Sequence, residues 1–444
     1  MFVNRPLKSY RMVWAILFSL SALSAEAAPK IEHWTLSNGV RVFLVEAHDL
    51  PMVAFNLVLD AGSARDPQDR NGLSMLTSRL LPEGTGKLDT GAVAAVFEGL
   101  GAEFGAGSDR EMASVGLRSL SDRKVLEPAV DLFARLVAAP HYPAASLERE
   151  RARALLGLRH AEQSPGDVAS KTFYTRLYAG HPYAQLPEGN ETGLKAITRD
   201  DLVNFHKRHY VGKNAVLSIV GDLSVREARQ VAERLAGTLP AGKAAAPLER
   251  IADAAPRKPA EVNVAHPASQ TTVLMGEVGM RRNDPDFYPL YLGNFVLGGS
   301  GFSSRLVKAV RDKRGLSYSV YSYFQPMREP GPFVIGFQTK NSQRAEALSV
   351  ARQVLAEFTE KGPTPEELIA AKKNLTGGFP LRIDSNRKIA EYLTVIAFYG
   401  LPLTYIDDFI PHIEAVTAED IRKAFRRRVH PEHMLTVTVG GVAD

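Results

Sequence analysis

Ile197-Thr-Arg-Asp-Asp-Leu-Val-Asn-Phe-His-Lys-Arg-His-Tyr-Val-Gly-Lys-Asn-Ala-Val-Leu-Ser-Ile-Val-Gly-Asp-Leu223 aligns without a gap, at an offset of 219, with Val416-Thr-Ala-Glu-Asp-Ile-Arg-Lys-Ala-Phe-Arg-Arg-Arg-Val-His-Pro-Glu-His-Met-Leu-Thr-Val-Thr-Val-Gly-Gly-Val442. Thr198 falls on Thr417, Asp201 on Asp420, Arg208 on Arg427, Val220 on Val439 and Gly221 on Gly440. Each window predicts a helix capped at its start, then a strand of apolar β-formers that ends in glycine. A second match, at an offset of 218, pairs a helix starting at Ser146 with one starting at Thr364. Thr364-Pro-Glu-Glu is a capping box with proline at the first helical position. The chain therefore reads as a tandem duplication of one α+β unit.

The copies separate at Ala236 to Glu261, rich in Ala, Pro and Lys and without strand or helix periodicity, which predicts a surface linker. That leaves residues 28–235 and 262–444 as the two domains. Alternating apolar segments at Val53–Leu59, Glu111–Leu117, Thr271–Gly276, Ser317–Tyr323 and Phe333–Thr339 are separated by longer amphipathic patterns. They predict, in each half, a mostly antiparallel sheet covered by helices on one side. Two such halves facing each other enclose a hollow.

With 444 residues and 45% hydrophobic content the chain can build two full cores. Arg5, Lys8 and Arg11, the apolar run Met12–Leu23 and Ala25-Glu26-Ala27 predict a secretory signal peptide over residues 1–27, cleaved after Ala27. The run is shorter than the ~20 residues a spanning helix needs. No cysteine is present, so disulfides and a lipid-modified cysteine are excluded. Of the formal charge of +5, the signal segment carries +2, and the remaining surplus is too small to argue for nucleic acid. Arg422-Lys423 with Arg426-Arg427-Arg428 reads as a solvated helix face.

Gly72-Leu-Ser-Met-Leu-Thr-Ser-Arg-Leu-Leu-Pro-Glu-Gly-Thr85, Leu36-Ser-Asn-Gly-Val-Arg-Val42, His181-Pro182-Tyr183 with Gly189, and Asn214-Ala-Val-Leu-Ser-Ile-Val-Gly-Asp222 occur in the order of the landmarks of one family. Together with Ser304-Arg-Leu-Val-Lys-Ala-Val-Arg311-Asp-Lys-Arg-Gly-Leu-Ser-Tyr318-Ser-Val320 they resemble the M16 (insulinase-like, inverzincin) metallopeptidases over nearly the whole mature chain. In that family the first stretch carries H-x-x-E-H, two zinc ligands one turn apart with a general base between them. Here those positions are Met75, Ser78 and Arg79, and a fixed cation at the third opposes a dication. The third family ligand, a helical Glu, falls in the region of Leu155, Leu156 and Gly157. Glu148 and Glu150 lie about two turns too early to replace it.

The resemblance implies that Arg311 and Tyr318, seven positions apart, contact substrate. Arg311 is expected to end a helix, Gly315 to supply the turn and Tyr318 to start the next strand. A guanidinium and a phenol can donate hydrogen bonds to a peptide carbonyl and to the oxyanion that develops on it. Taken alone, an arginine at a helix C-terminus is favoured by the dipole and a strand tyrosine by packing. The family's substrate-pairing edge strand corresponds to Gly105 and Ala106, with Gly105 in place of the usual Asn. His206-x-x-His209 and His430-x-x-His433 lack a helix-borne carboxylate and read as surface or core histidines. Gly299-Ser300-Gly301 reads as a plain turn, and Met75 as a core side chain.

The expectation is a periplasmic subunit of a two-chain M16 zinc peptidase that binds no cofactor itself. It would lend Arg311 and Tyr318, across a peptide-enclosing chamber, to a partner that carries H-x-x-E-H and the zinc. The alternative is a peptide-binding or structural M16 relative without protease activity.

Overall fold

The computed structural model of the protein describes residues 30–251 and 260–441, so the expected signal segment and Val442 lie outside the described residues. The first sheet holds β1 (Glu32–Thr35), β2 (Arg41–Glu46), β3 (Met52–Leu59), β4 (Glu103–Ser108), β5 (Ala113–Leu120) and β6 (Ala215–Gly221), in the order β1-β2-β6-β3-β5-β4. The second holds β7 (Ala260–Val264), β8 (Gln270–Val278), β9 (Val320–Phe324), β10 (Pro332–Lys340) and β11 (Leu435–Val439), in the order β9-β10-β8-β11-β7. Every pairing is antiparallel except β2 with β6 and β7 with β11. The helices needed below are α1 (Leu73–Arg79), α2 (Arg123–Ala138), α3 (Ala144–Ala161), α4 (Pro165–Leu177), α5 (Arg199–His209), α6 (Val225–Ala236), α7 (Arg344–Lys361), α8 (Pro365–Gly377), α9 (Asn386–Tyr399) and α10 (Ala418–Arg428).

The duplicated windows fold alike. Thr198 with Asp201 and Thr417 with Asp420 form complete capping boxes at the starts of α5 and α10. The strands that follow, β6 and β11, occupy equivalent places as the partners of the two parallel pairings. Gly221 and Gly440 end them at φ of +140° and +144°, where an added Cβ would fall 2.1 Å from the Met52 carbonyl oxygen and 2.7 Å from that of Gln270. The second match is looser. α3 begins at Ala144 rather than Ser146, because Ser146 turns its hydroxyl inward to donate to Glu83 at 2.8 Å, whereas Thr364 caps α8 as expected.

Helices cover both faces of each sheet, not one. On the first sheet Val42, Leu44, Leu217 and Ile219 face α2 and α6, while Phe43, Val45, Val216 and Val220 face Ala390, Leu393 and Ala397 of α9, a helix from the other half. On the second sheet Val273, Met275 and Ile335 face α7 and α10, while Leu274, Val278, Val334 and Val437 receive Phe173 and Leu177 of α4, from the first half. The two halves thus exchange equivalent helices. This is why β6 is buried at every position and β8 at all but its first. The Phe173 ring lies where Gly276 leaves room for it, 3.0 Å from the site of an added Cβ.

The seam also carries a buried polar knot. Glu111, 4% exposed, accepts from Tyr183 at 2.5 Å, from Tyr399 at 2.6 Å and from the backbone N–H of Arg328 at 3.0 Å. Burial pushes its carboxyl up, and the donors oppose that rise. Arg328 also reaches Asp60 at 2.7 Å, where Arg65 forms a two-bond fork. The connecting segment is not wholly on the surface: Ile251 is buried in the seam cluster and β7 starts at Ala260.

Phe173→Ala should therefore lower stability to urea by about 3–5 kcal/mol, while Leu50→Ala at an exposed site should stay within about 0.5 kcal/mol. A Phe173→Ala cost no larger than that control would remove the helix exchange as a source of stability.

Candidate functional site

α1 opens at Gly72, φ +106°, with its first amides bound by a buried carboxylate from upstream. Asp66 accepts from the backbone N–H of Gly72 and of Ser74, both at 2.8 Å. A negative group is favoured there by the helix dipole, yet burial pushes the Asp66 carboxyl up to about 7. The helix packs beneath β4 and β5 and against α3 and α5.

The three degenerate positions go different ways. Met75 is 6% exposed and belongs to the first core. Ser78 is fully buried and hydrogen-bonded at 3.1 Å to the phenol of Tyr210, which burial pushes up to about 12. Arg79, in the last turn, is exposed and has no ion-pair partner among the described residues. On α3, Leu155 packs on the core while Leu156 is 48% exposed, and Glu150 is buried against Arg153 at 2.6 Å. A thioether, a hydroxyl committed to a tyrosine, a guanidinium and an aliphatic chain do not fit the zinc that H-x-x-E-H would hold. Where a base would activate water, Ser78 offers a packed hydroxyl.

His206, His209 and His430 are engaged within the fold. His206 stacks on Tyr210, its Nε2 lies 2.8 Å from the Val137 carbonyl oxygen, and burial pushes it down to about 4. His209 is lowered likewise to about 4. His430 is raised by its hydrogen bond to Glu277 at 3.0 Å.

β4 is the free edge of the first sheet, with Gly105 opposite Gly116 and Ala106 opposite Val115. Nothing stands within 4 Å of a Cβ added at Gly105 or Gly107, so a peptide backbone could approach this edge closely. Ala106 packs partly on the core. Past the ends of β4 and β9 a cavity of about 890 Å³ opens at the seam, lined among others by Met112, Leu158, Tyr174, Arg282 and Met327.

Arg311 and Tyr318 lie in the second half, away from α1. Arg311 is in the last turn of the helical segment Val307–Asp312, and Gly315 turns the chain at φ +63°. Tyr318 precedes its strand instead of starting it, since β9 begins at Val320, and this leaves the ring 88% exposed. The guanidinium of Arg311 lies 5.4 Å from the Tyr318 ring centre and 4.7 Å from that of Phe302, itself 77% exposed. Phe302 belongs to none of the family landmarks, and its one signal in the sequence is a large aromatic directly after Gly-Ser-Gly.

Residues 41–187 match the family described as insulinase (peptidase family M16), and residues 196–375 match the peptidase M16 inactive domain. A crystal structure of a peptidase M16 inactive domain from Pseudomonas fluorescens is 39% identical and superposes with a TM-score of 0.89 over 93% of this chain and 98% of that one. The chain belongs to the M16 peptidase family. Among its M16 relatives is the non-peptidase homologue YmxG of Helicobacter pylori, 28% identical over 86% of this chain and 87% of that protein. An uncharacterised zinc protease YmxG of Bacillus subtilis is 25% identical over 92% of this chain and 98% of that protein. Within the family this chain is an inactive-type homologue, with two M16-like α+β domains and a first domain whose metal-site positions offer no ligands.

The purified mature chain should hold well under one zinc per molecule after dialysis, measured by elemental analysis. About one retained zinc would show that ligands other than the Met75, Ser78, Arg79 and Leu156 positions complete a site.

Proposed function

We propose that this chain is the zinc-less subunit of a two-chain M16 zinc peptidase. In this reading it forms half of a chamber that encloses an unfolded peptide, and it supplies Arg311 and Tyr318 to substrate held at the partner's zinc. The observation that carries the reading is a contrast within one molecule. In the first half Met75 and Ser78 are taken up in core packing and Arg79 and Leu156 offer no ligand, while in the second half the Tyr318 ring is exposed and the half-buried Arg311 has no ion pair or side-chain hydrogen bond among the described residues. A guanidinium and a phenol left free in this way add hydrogen-bond donors to a carbonyl that becomes an oxyanion, and they require a nucleophile from elsewhere. The partner is an M16 homologue with H-x-x-E-H, and the zinc belongs to that partner. The free edge of β4 would pair with the extended peptide through Gly105 and Ala106.

The periplasm as the working compartment is supported by the charged, apolar and Ala-x-Ala pattern of residues 1–27. No described helix is long and apolar enough to cross a membrane. The open β4 edge and the H. pylori relative described as a non-peptidase homologue also favour a second reading, a peptide binder without a protease partner.

Mixing this chain with a secreted H-x-x-E-H homologue from the same organism should produce cleavage of an unstructured peptide that neither chain shows alone. Arg311→Ala or Tyr318→Phe should lower kcat/KM by roughly 10²- to 10³-fold, with co-elution in size-exclusion chromatography preserved. Wild-type cleavage by both variants in assembled complexes would reduce this chain to a wall of the chamber. Peptide binding without any activity in the mixture would favour the second reading.

A further inference from the structure

Phe302 occupies a position that packing alone does not explain. It stands on the turn Gly301–Ser303, just after Gly301 at φ +60°, with its ring 77% exposed, although phenylalanine is among the residue types most often buried. Its place is set by the backbone beneath it. Ser303 donates to the Ser300 hydroxyl at 2.9 Å, and Ser322 donates to Asn294 at 2.7 Å while Asn294 returns a bond to the Ser322 carbonyl at 3.0 Å. Gly298 lies so close to β9 that an added Cβ would meet the Ser322 hydroxyl at 2.3 Å. The helical segment that leads into the turn is thus pinned to the strand that follows Tyr318, and the Phe302 ring lies against the Arg311 guanidinium.

The consequence lies in how a guanidinium can be held. Its π-face can lie against an aromatic ring while its N–H groups, which radiate in the plane, stay free. Arg311 has the Phe302 ring centre at 4.7 Å and the Tyr318 ring centre at 5.4 Å. It has no carboxylate partner among the described residues that would occupy its donors.

We propose that Phe302 is a positioning residue for Arg311: its ring fixes the guanidinium plane so that the N–H edge meets a peptide carbonyl already oriented. The proposal rests on the reading that Arg311 and Tyr318 serve a peptide bound between this chain and its partner. Phe302 itself forms no bond to the reacting atoms.

Two measurements test it. In the mixed complex with the H-x-x-E-H homologue, Phe302→Ala should lower kcat/KM roughly ten-fold, mainly through kcat, as expected for a misplaced group. Phe302→Tyr should restore most of the loss and Phe302→Leu should not, with the thermal midpoint and co-elution unchanged. Added to Arg311→Ala, Phe302→Ala should cost nothing further. An additive loss, or a wild-type rate for Phe302→Ala while Arg311→Ala and Tyr318→Phe are slow, overturns the clamp and leaves the proposed function standing. If Arg311→Ala and Tyr318→Phe are themselves as fast as wild type, it is the proposed function that falls. The clamp is then decided on the mature chain alone, by the NMR signal of the Arg311 Nε–H. That signal should be shifted by ring current, and it should lose the shift in Phe302→Ala. An unmoved signal overturns the proposal.

Discussion

Each sheet of this protein has two apolar faces and only enough helices in its own half to cover one. The exchange of α4 and α9 meets that constraint: each helix lies on the sheet of the opposite half, and the burial it provides depends on both halves being present. Glu111 lies at the same seam, taking phenolic hydrogens from Tyr183 in one half and Tyr399 in the other. A buried carboxylate is costly unless its hydrogen bonds are complete, so it fixes the register in which the apolar faces meet. The free edge of β4 and the Arg311/Tyr318 turn are thereby held in one frame, although they come from different copies of the repeat.

The duplication was legible because capping is local chemistry. Thr198 with Asp201 and Thr417 with Asp420 announce two helix starts within four residues each, and the glycines at 221 and 440 mark strand ends that only a residue without Cβ can make. The second sheet face was less legible. Alternation shows that a strand is half buried, but a run such as Ala215–Gly221 states only that both faces are covered, not by what. The covering helices lie about 170 residues away in sequence from β6 and about 100 from β8, and no local pattern names that partner. The same limit hid Asp66, whose role as cap of α1 depends on a left-handed glycine that folds the chain back. The strand expected to start at Tyr318 starts two residues later, at Val320, because Ser-Tyr-Ser-Val alternates as well in a turn as in a ladder.

At the metal-site positions the substitutions form a consistent set. Met75 fills core volume, Ser78 pairs its hydroxyl with Tyr210, and Arg79 keeps its charge in water, so none leaves a buried group stranded. The first half has become scaffold at the place where its catalytic relatives do chemistry. The second half keeps a cation and a phenol side by side, the Arg311 guanidinium 5.4 Å from the centre of the exposed Tyr318 ring.

The most direct test of that account is site-specific photocrosslinking from position 318, with a benzophenone side chain in place of the Tyr318 phenol, in the presence of the H-x-x-E-H homologue and an unstructured peptide. The account predicts adducts that mass spectrometry maps to the peptide and to the homologue's metal-binding helix. Adducts confined to other copies of this chain, or none under conditions where the two proteins co-elute, would contradict it.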